Sequence, residues 1–126
     1  MSHQHIKSGS PYEARYGFSR AVRVGDRVIV AGTAPIPAGG DQVAASAYEQ
    51  MMRCGEIAIA ALAEAGASAD NVVRTAMYIT DPTEADEIGR AHSELFGSAA
   101  PAATMVVAQL LDPSWKVEIE VEAIVT

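Results

Sequence analysis

The chain has 126 residues, 49% apolar, 20% charged and 6% aromatic, which bounds it to one expected domain over residues 1–126 with a core that needs no covalent staple. Ten Gly and six Pro rule out a collagen-like or low-complexity chain, and so apolar a composition is not that of a disordered one. Sixteen acidic against nine basic residues give a net charge of −7 without a Lys/Arg cluster, so no nucleic-acid partner is expected and a protein that handles small molecules is.

Residues 1–15 lack periodicity and hold Gly9, Ser10 and Pro11, which reads as a loosely held N-terminal arm. From Phe18 the pattern turns to strand. Val22 and Val24 alternate with Arg23, Gly25-Asp26 makes a two-residue turn, and Val28-Ile29-Val30 follows, which is a hairpin. Residues 33–42, with Pro35, Pro37, Gly39 and Gly40, form a loop. Residues 43–65 have a helical period: Ala47, Met51, Cys54, Ala58, Leu62 and Ala65 make one narrow face of small residues, with Asp41 as the expected cap and Gly66 as the stop. Residues 72–79 alternate as a strand. Asp81-Pro82 opens a second helix that runs to about Phe96, with Ile88, Ala91 or His92, and Leu95 on one side. Two last strands fit residues 104–109 and 116–125, parted by Asp112-Pro113-Ser114.

The order β-β-α-β-α-β-β places two helices on one face of a mostly antiparallel sheet, an α+β layer architecture. Val28, Val30, Val106, Ile119 and Val121 are too apolar to leave both sheet faces in water, so a second subunit is expected to cover the face without helices. One cysteine makes no internal disulfide, and a reducing cytoplasm is the expected compartment. No apolar run approaches the ~18–20 residues of a membrane helix, and the polar start from Met1 to His5 is not that of a signal peptide.

Strong chemical signatures are missing: the chain has no GxGxxG, Walker loop, nucleophile elbow or metal-spaced cluster. His3 and His5 belong to the arm, so no metal is expected there. Cys54 on the apolar helix face acts as a small hydrophobe. His92, mid-helix with no carboxylate motif around it, is read first as a packing or interface residue. Glu118, Glu120 and Glu122 share one face of the last strand. That face is either solvated or lines a cleft between subunits, and the residues alone leave both open.

Assembled, these pieces resemble a known family. Residues 17–26 (GFSRAVRVGD) with 28–33 (VIVAGT), then Gly66-Ala67-Ser68, Val72-Val73-Arg74-Thr75 and Tyr78-Ile79-Thr80-Asp81, then Pro101-Ala102 and Val117-Glu118-Ile119-Glu120, resemble the reactive-intermediate deaminase (Rid, or YjgF-type) family in order over residues 17–125. The resemblance implies a chorismate-mutase-like fold and a homotrimer with a small-molecule ligand in each cleft between subunits. It also implies hydrolysis of 2-imino acids to 2-keto acids and ammonia, with no metal or organic cofactor. In such proteins an arginine after the Pro-Ala pair grips the substrate carboxylate, and a glutamate on the last strand helps to place water. An imine carbon is already electrophilic, so orientation and one positioned water supply most of the catalysis.

The chain departs from the pattern at that arginine. Ala103 follows Pro101-Ala102, and Met105 stands where a cysteine is frequent; Phe18 replaces a tyrosine of the first strand, and Gly89 an asparagine of the second helix. Glu118 and Gly32 are retained. Hydrogen bonds to charged groups contribute ~1.5–3 kcal/mol each, so efficient hydrolysis of simple 2-imino acids is not expected unless Arg20 on the first strand substitutes. The competing role for Arg20 is a solvent-facing strand charge. One reading is therefore an imine or enamine hydrolase in which Glu118 orients water, His92 transfers protons, and Phe18, Arg20, Gly32, Ala103 and Met105 line the cleft. The alternative is a non-catalytic trimeric metabolite-binding module. Glu118 alone in the cleft favours binding; Glu118 with Arg20 or His92 favours catalysis. Ribonuclease or translation-inhibitor activity, attached to the family's older names, is disfavoured by the −7 charge.

Overall fold

The computed structural model describes residues 3–40 and 42–126. In chain order they form β1 (Gln4–Ile6), α1 (Pro11–Tyr16), β2 (Ala21–Val24), β3 (Arg27–Thr33), α2 (Ala47–Glu64), β4 (Val72–Ile79), α3 (Ala85–Phe96), β5 (Ala102–Val107) and β6 (Val117–Ile124). One sheet runs β1-β2-β3-β6-β4-β5, antiparallel throughout except for the parallel pair β4–β5. Its core face carries Val28, Val30, Val117, Ile119 and Val121, buried with Met51 and Leu62 of α2 and with Ile88 and Phe96 of α3. The α+β class and the two core helices therefore stand as expected.

The N-terminal arm is corrected. β1 pairs with β2, Ile6 is buried, and α1 is a built helix rather than a loose segment. Ser10 caps it by accepting from the Tyr12 N–H, Pro11 occupies the first turn, and Gly17 closes it in the left-handed conformation at φ 76°. Buried Glu13 accepts from the Ser8 backbone N–H at 3.0 Å and from the Ser8 hydroxyl, tying the helix to the chain before it.

The predicted stripe of α2, from Ala47 to Ala65, is the buried one. The helix starts later than the expected residue 43 because the Ser46 hydroxyl accepts from the Glu49 N–H and caps it there. The expected cap, Asp41, lies outside the described residues. Small residues bring α2 and α3 together: a Cβ built on Gly55 would lie 2.3 Å from Leu95 Cδ1. The Asp81-Pro82 start also holds, although the first turn, Pro82–Glu84, is 3-10 and precedes α3 proper.

Two register shifts interrupt the alternation. Between Val72 and Arg74 one extra residue enters β4, so Val73 is exposed while Val72, Thr75, Met77 and Ile79 are buried. Between Val30 and Thr33 one extra residue enters β3 opposite β6, and it returns Thr33 to the core. The expectation that apolar residues crowd both faces is corrected too. Val28, Val30, Ile119 and Val121 lie under the helices, and the face without them presents Ile29 and Val106 beside Arg74, Tyr78, Glu118, Glu120 and Glu122. Period-two alternation sends the valines of β3 and β6 one way and the glutamates the other. The three glutamates do share a face, where Glu122 pairs with Arg27 at 2.9 Å and Glu120 accepts from the Tyr78 hydroxyl.

Candidate functional site

A pocket of ≈ 140 Å³ opens where α1, the end of β3 and the start of β6 converge. Glu118, Arg20, Phe18 and Gly32, all expected at the site from sequence, line it together. The β3 bulge explains part of this. By shifting register it puts Gly32 against β6, where a Cβ on Gly32 would lie 3.8 Å from Glu118 Oε2, and it leaves the Gly32 carbonyl free to accept from Arg20 Nη2 at 2.9 Å. Arg20 is anchored in the main chain as well, its N–H donating to Ile6 and its carbonyl accepting from Ala31.

Arg20 is not a solvent-facing strand charge. It is 6% exposed, its guanidinium lies 5.4 Å from the Phe18 ring centre, and its buried Nε meets no acceptor among the described residues. Burial lowers its pKa, while the charges of Glu13 and Glu118 oppose that shift. Glu118 is half-buried, and loss of solvation raises its pKa, with Arg20 acting against the rise and Glu120 adding to it. A carboxyl shifted this way exchanges protons nearer neutral pH than a free one.

Sequence reading missed the rest of the wall. Tyr12 and Tyr16 of α1, with Trp115 and Leu111 from the segment before β6, line it too, beside Ser10, Ala34 and Ile36. Tyr12 stacks on Tyr16 with ring centres 5.9 Å apart and meets Trp115 edge-on at 6.3 Å. The signal that could have found them was Ser10-Pro11 ahead of Glu13 with Gly17 behind, a helix start and stop six residues apart.

The remaining expected residues lie elsewhere. β5 pairs with β4 so that Ala103 sits beside Thr75 and Met105 beside Met77, on the core face of the sheet. Glu118 sits beside Tyr78, on the opposite face. Within one chain Met105 therefore does not meet Phe18 and Glu118, because odd and even positions of β4 separate them. His92 belongs to the Ala103 side. Its Nε2 lies 2.8 Å from the hydroxyl of buried Thr75, its ring 5.4 Å from Phe96, and burial lowers its pKa. Within one chain, then, Glu118 is brought together with Arg20 and not with His92. Cys54 is fully buried, donates to the Val117 carbonyl at 3.7 Å and has its pKa pushed up by burial, as a structural thiol does.

A six-stranded sheet of this order, with α2 and α3 layered on one face, is the chorismate-mutase-like α+β fold. Among the described residues no helix is long and apolar enough to cross a membrane. The model of the endoribonuclease L-PSP family matches residues 9–125, and the chain belongs to that family, also called YjgF or Rid. The uncharacterized protein SCO2049 of Streptomyces coelicolor is 42% identical over 121 residues, covering 94% of this chain and 89% of that one. The crystal structure of Rv2704 of Mycobacterium tuberculosis, a member of the YjgF/YER057c/UK114 family, matches with a TM-score of 0.90 at 37% identity over 98% of this chain and 100% of its own. The structure of YyfA of Yersinia pestis, of the Rid family, matches with a TM-score of 0.86 at 27% identity, covering 98% and 100%.

Proposed function

We propose that this Rid-family protein is a cofactor-free hydrolase of a small imine or enamine bearing an anionic group, acting in the cytoplasm as a homotrimer. The observation that carries this reading is the placement of buried, incompletely bonded Arg20 with Glu118 in one pocket. Arg20 stands in for the absent arginine at position 103 as the cationic grip on that group. In the trimer the Ala103–His92 edge of one subunit faces the Glu118 pocket of the next, which returns to the cleft what the sheet separates within a chain.

Glu118 takes a proton from water as oxygen bonds to the iminium carbon and the C=N π pair moves to nitrogen. The carbinolamine then receives that proton on nitrogen, the C–N bond breaks with its electron pair leaving in ammonia, and the hydroxyl gives its proton to Glu118 as the carbonyl forms. The released ammonia takes that proton up from Glu118 as ammonium. A carboxyl with a raised pKa suits both transfers. Ribonuclease activity is disfavoured by the net charge of −7.

Ala103 favours a second reading, a metabolite-binding module without turnover, because the usual carboxylate anchor is gone. Ammonia release from freshly generated imines separates the two. Turnover that falls more than about tenfold in Arg20→Met and in Glu118→Gln, and little in Glu120→Gln, supports the hydrolase. Binding of the same compounds without ammonia supports the module. Light scattering is expected to give three times 13.2 kDa; a stable monomer sinks the cleft.

A further inference from the structure

We propose that the wall supplied by α1 and Trp115 makes this pocket selective for a one-ring compound, a monocyclic imine or enamine carrying a carboxylate, with its ring against Tyr12, Tyr16 and Trp115 and its carboxylate toward Arg20. This deepens the reading above and rests on it for the anchor. The concentration of aromatic rings is the first support. The chain has two Phe, four Tyr and one Trp, and Phe18, Tyr12, Tyr16 and Trp115 all line this one small pocket.

The rings are also arranged rather than merely adjacent. Tyr12 stacks on Tyr16 and takes Trp115 edge-on, which leaves a corner of two ring walls. Such a corner accepts a flat ring by offset stacking on one wall and edge contact with the other. Size matches as well: ≈ 140 Å³ is close to the ~150 Å³ engineered cavity that holds one benzene, so one ring fills the space between these walls. Charge sets the polar end. Arg20 lines the pocket, is 6% exposed, and among the described residues spends one guanidinium N–H, from Nη2, on the Gly32 carbonyl, which leaves the outer guanidinium N–H groups to hold an anion in the pocket. The wall itself is held by a short helix whose cap, buried Glu13 and left-handed Gly17 fix where Tyr12 and Tyr16 stand.

Trp115 is the one tryptophan of the chain, so its emission reports occupancy directly. Benzoate (ring and carboxylate), propionate (carboxylate alone) and 2-naphthoate (two rings) are the probes, with calorimetry for the last, which absorbs in the same range. Benzoate is expected to bind about tenfold more tightly than propionate and than 2-naphthoate. Tyr16→Leu, at a position 59% exposed where the fold does not depend on the ring, is expected to reduce that preference about threefold, and Tyr12→Leu to remove it. Arg20→Met is expected to weaken benzoate and propionate alike. If propionate binds and needs Arg20 but benzoate is not preferred, the anchor stands and the ring selectivity is overturned. Emission that changes with protein concentration and not with benzoate means that a second copy fills the corner, which overturns it as well. Failure of every probe to bind removes both the anchor and the ring reading.

Discussion

Gln50 ties the second helix to the segment that carries Trp115 into the pocket wall, and its replacement by methionine tests how far that wall depends on one side chain. Gln50 is 1% exposed. Its Nε2 donates to the Ala44 carbonyl at 2.9 Å and the Ser114 carbonyl at 3.0 Å, and its Oε1 accepts from the Lys116 N–H at 2.7 Å. Methionine matches the length and flexibility of glutamine, so packing is nearly conserved and the loss is that of three hydrogen bonds. At about 1 kcal/mol net each the cost is about 3 kcal/mol. For a chain of this size that is a fall in Tm of about 10 °C. Calorimetric or circular-dichroism melts read the shift, and Trp115 emission is expected to move to the red as the segment before β6 loosens. Gln50→Glu keeps the acceptor for Lys116 but points a carboxylate at two carbonyls, so it is expected to be worse than methionine at neutral pH and to recover on acidification. A Tm loss under about 2 °C in Gln50→Met would refute the reasoning, because the loop would then be held by something else.

Other perturbations probe the site and the core. The raised pKa of Glu118 means that its contribution to stability is full below the ordinary carboxylate value of about 4.3 and is lost as pH rises through the folded value; Glu118→Gln is therefore expected to raise Tm at pH 7 and leave it unchanged near pH 4, and equal shifts at both would contradict the burial argument. Gly55→Ala places a methyl group 2.3 Å from Leu95 Cδ1, so a loss of about 1–2 kcal/mol is expected despite better helix propensity, and Leu95→Ala is expected to cost less in that background than in the native chain. Ala103→Arg, alone and with Met105→Cys, is expected to raise hydrolysis of simple 2-imino acids above the native level in an ammonia assay; no gain in either means that the cleft needs more than one restored anchor.

Much of the sheet was legible because its elements carry redundant signals. β4 was read at its observed bounds, and the Gly25-Asp26 turn fixed the register of β2 against β3. What escaped notice was decided by single residues. Nothing in Val72-Val73-Arg74 distinguishes a bulge from plain alternation, so the outward position of Val73 emerges only from pairing with β6. α1 is too short to show a period, and β1 buries only Ile6. At the site, Glu118, Arg20, Phe18 and Gly32 were named from sequence, but the partition that sets Met105, Ala103 and His92 on the other side of the sheet follows from the parallel pairing of β5 with β4, which sequence alone does not reveal.

The strand that joins the two halves of the sheet is made after both of its partners. β6 occupies the middle of the sheet, between β3 and β4, although it is the final element of the chain. A ribosome therefore releases β3 and β4 with their inner edges unpaired, and neither can be satisfied until residues 117–124 have emerged. Such long-range pairing makes folding slow relative to helical proteins and delays it until β6 has left the ribosome. Two open edges exposed for that interval are templates for pairing with other nascent chains, so yield in a cell is expected to respond to temperature and chaperone supply more steeply than the stability of the finished fold would suggest. A ribosome stalled before the codons of Val117–Ile124 would leave a chain that has most of its core residues and no way to bring the two halves of the sheet together.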